Sequence, residues 1–259
     1  MVRTVLAMLA FAAVATVGDV AVEPVVAHAA DDVHVVGEAI IAGPTGAFAA
    51  STTAKAAAKA AAPGCDDRSY ALSPWRVDKP YQWTYNPKGT PASVAATALG
   101  AIQRGSTTVS SGRNRCRTTT RLTTTNQYKG TTTRVAQVSA SGTCAGNDGV
   151  SVTSWGRLPS AYLAYTCVYY RSNGTVIASD MLIDNSVHAW ATTLPARCVK
   201  TFDLESVVVH ERGHTAGIGH VEQVRSVQQT MSPRNQPCST TKRLLGAGDL
   251  AGLRARYGA

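Results

Sequence analysis

The stretch that decides the fold is His210-Glu211-Arg212-Gly213-His214-Thr215-Ala216-Gly217-Ile218-Gly219-His220. On a helix, His210 and His214 lie four residues apart, so their imidazoles leave one face about 40° apart and separated by one turn. Two imidazoles so placed can share a tetrahedral zinc ion at about 2.0–2.1 Å per bond. Gly217 has no Cβ and accepts positive φ, which lets the chain leave the helix sharply and bring His220 back as a third ligand. Three protein ligands leave one coordination position open, the condition that separates a catalytic zinc from a closed structural one. Glu211 is rotated about 100° from His210 around the helix, which directs it beside the metal. A carboxylate there can take a proton from an activated water and pass it to a leaving amine.

Outward from this stretch, Asp203 reads as a helix cap, with Leu204, Val207, Val208 and Glu211 at helical spacing behind it. Met231 follows in Thr230-Met231-Ser232-Pro233 and reads as a core Met, while the resemblance of the whole motif to that of metzincins implies a Met-turn here, an apolar floor beneath the ligands. Leu250, Leu253 and Tyr257 repeat helical spacing near the end. Upstream, Tyr81-Gln82-Trp83-Thr84-Tyr85 alternates as a half-buried strand. Thr90-Pro91 then offers a cap and first turn for a helix carrying Val94, Ala95, Ala98, Leu99 and Ile102. Residues 118–138, 150–155, 161–170 and 175–183 are rich in β-branched and aromatic residues and read as strands with a turn.

The amino terminus has a charged start at Arg3, an apolar run from Val5 to Val17, and Ala27-His28-Ala29 as a small-residue cleavage site. Residues 1–29 are therefore expected to be a signal peptide and the protein to be secreted, without stable membrane insertion. Residues 30–64 follow with an Ala-rich run and read as a propeptide or spacer, and residues 65–259 as the folded domain. All six Cys lie in that last part. In an oxidising compartment they imply three disulfides, and of the roughly fifteen possible connectivities we expect Cys116–Cys144, Cys198–Cys238 and Cys65–Cys167. From residue 65 onward the chain has 22 Lys and Arg against 11 Asp and Glu. Arg113, Arg115, Arg117, Arg121, Lys129 and Arg134 concentrate this charge, either as a solvated face or as a surface for anionic cell-surface polymers. No zinc-finger spacing or aromatic RNA-binding signature accompanies it, which argues against nucleic acid.

Taken together, the long histidine motif, Met231 and the closing Leu250, Leu253 and Tyr257-Gly258 resemble the metzincins, and within them the bacterial matrixin-like proteins. The resemblance runs from about Tyr81 to Gly258 and is most specific over residues 203–258. It implies an α+β metzincin-type domain: a twisted mixed sheet, two long helices and a C-terminal helix. It also implies that Leu163, Ala164 and Tyr165 belong to an edge strand that pairs with the substrate backbone, so that protein or peptide is the partner. One catalytic zinc is expected. A second, structural zinc is not, because His188 alone stands between the propeptide and the motif. Asp148, Asp180 and Asp184 are candidates for calcium, or for capping turns. Val221 after the third ligand departs from the usual matrixin residue, and no Tyr follows Met231. The function implied is a monomeric secreted zinc metalloendopeptidase. The alternatives are a zinc-containing binding protein without activity and a hydrolase of cell-wall peptides.

Overall fold

A twisted seven-stranded sheet carries two helices on one face, and a third helix closes the chain. The structure, a computed structural model, describes residues 32–43, 62–222 and 225–258. The expected signal peptide and the Ala-rich run up to residue 61 lie outside the described residues. The elements in order are β1 (Val33–Ala42), β2 (Ala71–Leu72), β3 (Tyr81–Tyr85), α1 (Ala98–Ser111), β4 (Asn126–Thr131), β5 (Val152–Gly156), β6 (Tyr162–Arg171) and β7 (Val176–Asp184). After them come β8 (Ala189–Ala191), β9 (Thr201–Asp203), α2 (Leu204–Thr215), β10 (Ile218–Gly219), β11 (Arg234–Asn235) and α3 (Ala247–Tyr257). The large sheet has the order β11-β1-β6-β7-β5-β3-β4. In it β6 alone runs against all the others, so the sheet is mixed, as an α+β architecture requires.

Alternation turns Tyr81, Trp83 and Tyr85 of β3 inward, where they meet Ile102 of α1, Leu204, Val207 and Val208 of α2, and Met181 and Ile183 of β7. Burying each such aliphatic side chain contributes about 1.5–3 kcal/mol before entropy is counted. The two helices cross closely at Gly105, where a Cβ would sit 2.7 Å from Val208 Cγ1. Helix α1 begins at Ala98, later than the Thr90-Pro91 signal suggested. The Thr90 hydroxyl bonds Pro87 O at 2.6 Å and the Tyr85 hydroxyl at 2.8 Å instead of capping, and residues 92–97 wind as turns. Helix α2 begins where its cap does, with the Asp203 carboxylate accepting from Ser206 N at 2.9 Å.

Every residue of α2 is buried, including Arg212. Its guanidinium lies 4.9 Å from the ring centres of both Tyr81 and Trp83. It donates to the Tyr81 hydroxyl at 2.7 Å, Thr153 Oγ1 at 2.6 Å and Ser106 Oγ at 3.1 Å. One side chain thus ties the helix that carries the histidines to β3, β5 and α1.

Val33–Ala42, within the expected propeptide or spacer, forms β1 inside the large sheet, between β6 and β11. The run Val33-His34-Val35-Val36 followed by Ile40-Ile41 has the β-branched content of a strand, and it buries Ile40 completely. The disulfides are Cys65–Cys116, Cys144–Cys167 and Cys198–Cys238, with Cα separations of 5.4, 5.7 and 5.6 Å. The expected pairs Cys116–Cys144 and Cys65–Cys167 are therefore not formed. Cys116 follows Arg115, whose side chain donates to Pro63 O and whose amide bonds Leu245 O, so it meets the segment containing Cys65. Cys144 ends a tight loop that lies against β6, which carries Cys167.

Candidate metal centre

Helix α2 presents His210 and His214 from one buried face and stops at Thr215. Gly217 then takes φ 79°, and a Cβ there would lie 2.2 Å from Trp75 O, so glycine is required on both counts. The chain turns into β10, which pairs with β2 and delivers His220 to the other two. The three Nε2 atoms converge at 3.0 Å (His210 to His214), 3.1 Å (His210 to His220) and 3.1 Å (His214 to His220).

Their protonation follows from the second nitrogens. His210 Nδ1 lies 2.7 Å from Thr230 O and His214 Nδ1 lies 3.2 Å from Ile218 O. A carbonyl only accepts, so both Nδ1 atoms carry the proton and both Nε2 atoms present lone pairs. Lone pairs converging at about 3 Å repel each other unless a cation lies between them. The spacing is close to the ~3.3 Å edge of a tetrahedron with arms of about 2.0–2.1 Å, so the residues fit zinc. Burial, reinforced by the neighbouring imidazoles, holds His210 and His214 well below the usual range, and burial takes His220 down to about 4. All three are in the neutral form that binds metal. Among the described residues, no other set of His, Cys, Asp or Glu gathers its ligand atoms in this way.

Below the trio lies Met231, 1% exposed, with its sulfur against Gly213, where a Cβ would sit 2.3 Å from Sδ. The turn around it is held from α3, since Asp249 accepts from Thr230 N at 2.7 Å, Met231 N at 3.0 Å and Gly246 N at 2.7 Å. Thr230 O in turn orients His210. Lys242 Nζ fixes the next stretch by donating to Ser232 O and Arg234 O, each at 2.6 Å.

Glu211 is fully buried beside the trio. Burial, with the like charge of Glu38 as a lesser cause, pushes its carboxyl up to about 8. Its Oε1 accepts from Ile40 N at 3.2 Å, and the buried Thr166 hydroxyl stands beside the carboxyl as a second donor.

Leu163, Ala164 and Tyr165 lie in β6 near the histidines, but β6 is not an open edge. Strand β1 pairs antiparallel along it, with Ile40 opposite Ala164 and Ala39 opposite Tyr165. The three calcium candidates are not brought together as a site. Asp180 accepts from Gln137 N and Val152 N, Asp148 pairs with Arg134 at 2.7 Å, and Asp184 takes the amides of Leu158, Ser186, Val187 and His188. The basic surface is also smaller than its count suggests, because Arg115 donates to Pro63, Gln228, Thr241 and Leu244 carbonyls and Arg134 is paired. Sequence reasoning passed over Glu38, Ile40, Thr230 and Asp249. Only the β-branched run around Ile40 carried a signal that could have exposed its segment.

No helix among the described residues is long and apolar enough to cross a membrane. In comparison with known proteins, residues 77–258 match the sequence model of the matrixins. The chain is also 42% identical over 57 residues to Metalloendoproteinase 1 of Glycine max, a match covering 22% of this chain and 17% of that protein. The chain thus spans well under two thirds of that relative. The family match covers most of the sequence, includes the three histidines and ends at the last described residue, and on that ground the chain belongs to the matrixin family.

Proposed function

We propose that this chain is a secreted zinc-dependent endopeptidase, with His210, His214 and His220 as ligands and Glu211 as general base. The observation that carries the reading is the convergence of the three imidazole nitrogens, with the buried Glu211 carboxyl following His210 on the same helix. Zinc, when bound, supplies a Lewis acid that polarises the scissile carbonyl and makes a bound water acidic. The rest is done by the protein. Thr230 O and Ile218 O hold two ligands in one tautomer, and Met231 with Asp249 keeps the floor from shifting. Glu211 takes a proton from the attacking water and returns it to the departing amide nitrogen, and its high affinity for a proton suits that task. Secretion is supported by the leader-like residues 1–29 and by three disulfides without a free cysteine among the described residues.

The test is Glu211→Ala in the full chain. It leaves the ligand set intact, so zinc content should be unchanged, while hydrolysis of casein falls by at least about 10²-fold. His214→Ala should lose zinc and activity together. Parent-like casein hydrolysis by Glu211→Ala would refute the mechanism.

A further inference from the structure

Strand β1 lies in the cleft where a substrate would lie. It is clamped from both sides, antiparallel to β6 over Val33–Ile41 and parallel to β11 at Ile41 and Ala42. Ile41 N donates to Pro233 O at 2.8 Å, Ala42 N to Ala161 O at 2.9 Å and Gly43 N to Asn235 O at 2.7 Å. This is strand addition, the mode by which a sheet edge captures an extended peptide. At the centre of the clamp, Glu38 Oε2 lies 3.5 Å from His220 Nδ1 and the amide of Ile40 lies 3.2 Å from Glu211 Oε1. A general base must reach the nitrogen that it will protonate, and among the described residues the peptide nitrogen that donates to the Glu211 carboxyl is that of Ile40.

We infer that the chain's own first substrate is β1, and that the bond cut is Ala39–Ile40. The inference rests on the peptidase reading above and names the specificity of that same site. A water oxygen bonds to the Ala39 carbonyl carbon, the Ala39–Ile40 C–N bond breaks, and Glu211 carries a water proton to the Ile40 nitrogen. The products are a chain ending in the Ala39 carboxylate and a body beginning with the Ile40 amine. Two features of the bound strand define what the cleft accepts. Ile40, just after the cut, is 0% exposed within the apolar cluster that holds Leu163 and Val207, so this position takes a branched aliphatic side chain. Gly37, three positions before Ile40, has the Tyr165 ring over it, and a Cβ there would lie 2.1 Å from the Tyr165 hydroxyl. A larger residue at that position requires the Tyr165 ring to move aside. Val33 and Val35, farther from the histidines, are about half exposed (50% and 49%), so the grip is concentrated around the bond at issue.

The experiment uses the full chain, purified without metal and then loaded with zinc, and follows intact mass and the new amino terminus. The expected result is a body starting at Ile40, formed at a rate independent of protein concentration, since the substrate is intramolecular. Glu211→Gln should stay intact. In that zinc-free variant, hydrogen exchange at the amides of Ile40–Ala42 should be slowed at least about 10²-fold relative to an unfolded peptide of the same sequence. Gly37→Val should slow the cut by at least about tenfold, because overpacking must push the strand or Tyr165 aside. Persistence of uncut Val33–Ala42 in the zinc-loaded parent, cleavage at another bond in that strand, or unprotected amides would overturn the inference. Casein hydrolysis separates the two levels of failure. A parent that cleaves casein while keeping β1 intact leaves the peptidase reading standing and removes this one. To allow for a strand that merely blocks the cleft, Ile40→Asp places a carboxylate where the apolar side chain was and evicts β1. If neither it nor the parent hydrolyses casein with zinc bound, both readings fall.

Discussion

Replacing Asp249 tests how the metal centre is held, because this residue touches no ligand and yet supports one. Its carboxylate is 1% exposed and accepts three amides, from Thr230, Met231 and Gly246. In Asp249→Ala all three lose their acceptor. A buried donor left unsatisfied costs about 1–3 kcal/mol, so the sum is about 3–9 kcal/mol, and water entering the vacated space recovers part of it. We expect a loss of about 4 kcal/mol. Asp249→Asn keeps one carbonyl oxygen for the amides of Thr230 and Gly246, which share Oδ2, and turns an NH2 toward Met231 N. One bond is lost there, at about 1–3 kcal/mol. Since Thr230 O fixes His210, the alanine variant should also bind zinc about 10–100-fold more weakly. Urea unfolding of the zinc-free, disulfide-intact protein measures the first effect, and competition with a chromophoric chelator measures the second. The order Ala worse than Asn worse than parent is required. An alanine variant within about 1 kcal/mol of the parent, with unchanged zinc affinity, would show that α3 does not hold the turn beneath the metal.

Arg212→Ala should cost about 3 kcal/mol or more in the same unfolding assay, since it removes the donor to the hydroxyls of Tyr81, Thr153 and Ser106, of which Tyr81 and Ser106 keep Ser179 O and Ile102 O as acceptors, and empties the space beside two rings. An effect below about 1 kcal/mol would remove it as the tie between helix and sheet. Burial pushes the Asp180 carboxyl up to about 6. The folded state therefore binds the proton more tightly than the unfolded chain, so this contribution is complete below pH ~4 and is lost as pH rises through about 6. In zinc-free protein the parent should lose on the order of 2 kcal/mol relative to Asp180→Asn between pH 4 and 7, and a flat difference would refute the assignment. The Cys198–Cys238 bridge spans 40 residues, so Cys198→Ser with Cys238→Ser should lower stability by about 4 kcal/mol in urea if chain entropy dominates. Peptide mapping without reduction should recover Cys65 with Cys116 and Cys144 with Cys167, and recovery of Cys116 with Cys144 would contradict the fold.

What the sequence determined by itself was local. Two histidines four residues apart on a helix, a glycine able to turn the chain and a third histidine six residues beyond the second limit where those imidazoles can go, whatever surrounds them. The Asp203 cap and strands β3, β5, β6 and β7 were legible for the same reason, since alternation and capping depend on neighbours along the chain. Tertiary structure decided the rest. Which cysteines meet depends on which loops share a side of the sheet, and spacing carries no record of that. Asp249 looked like a helix residue because its three partners include two amides almost twenty positions away. The apolar residues of β1 were passed over because the segment is joined to the domain through an Ala-rich run, and a strand is recognisable as buried only once its partners, more than a hundred residues downstream, are in place. Its amide meets Glu211 across 171 positions of sequence, and a contact of that range is created by packing alone.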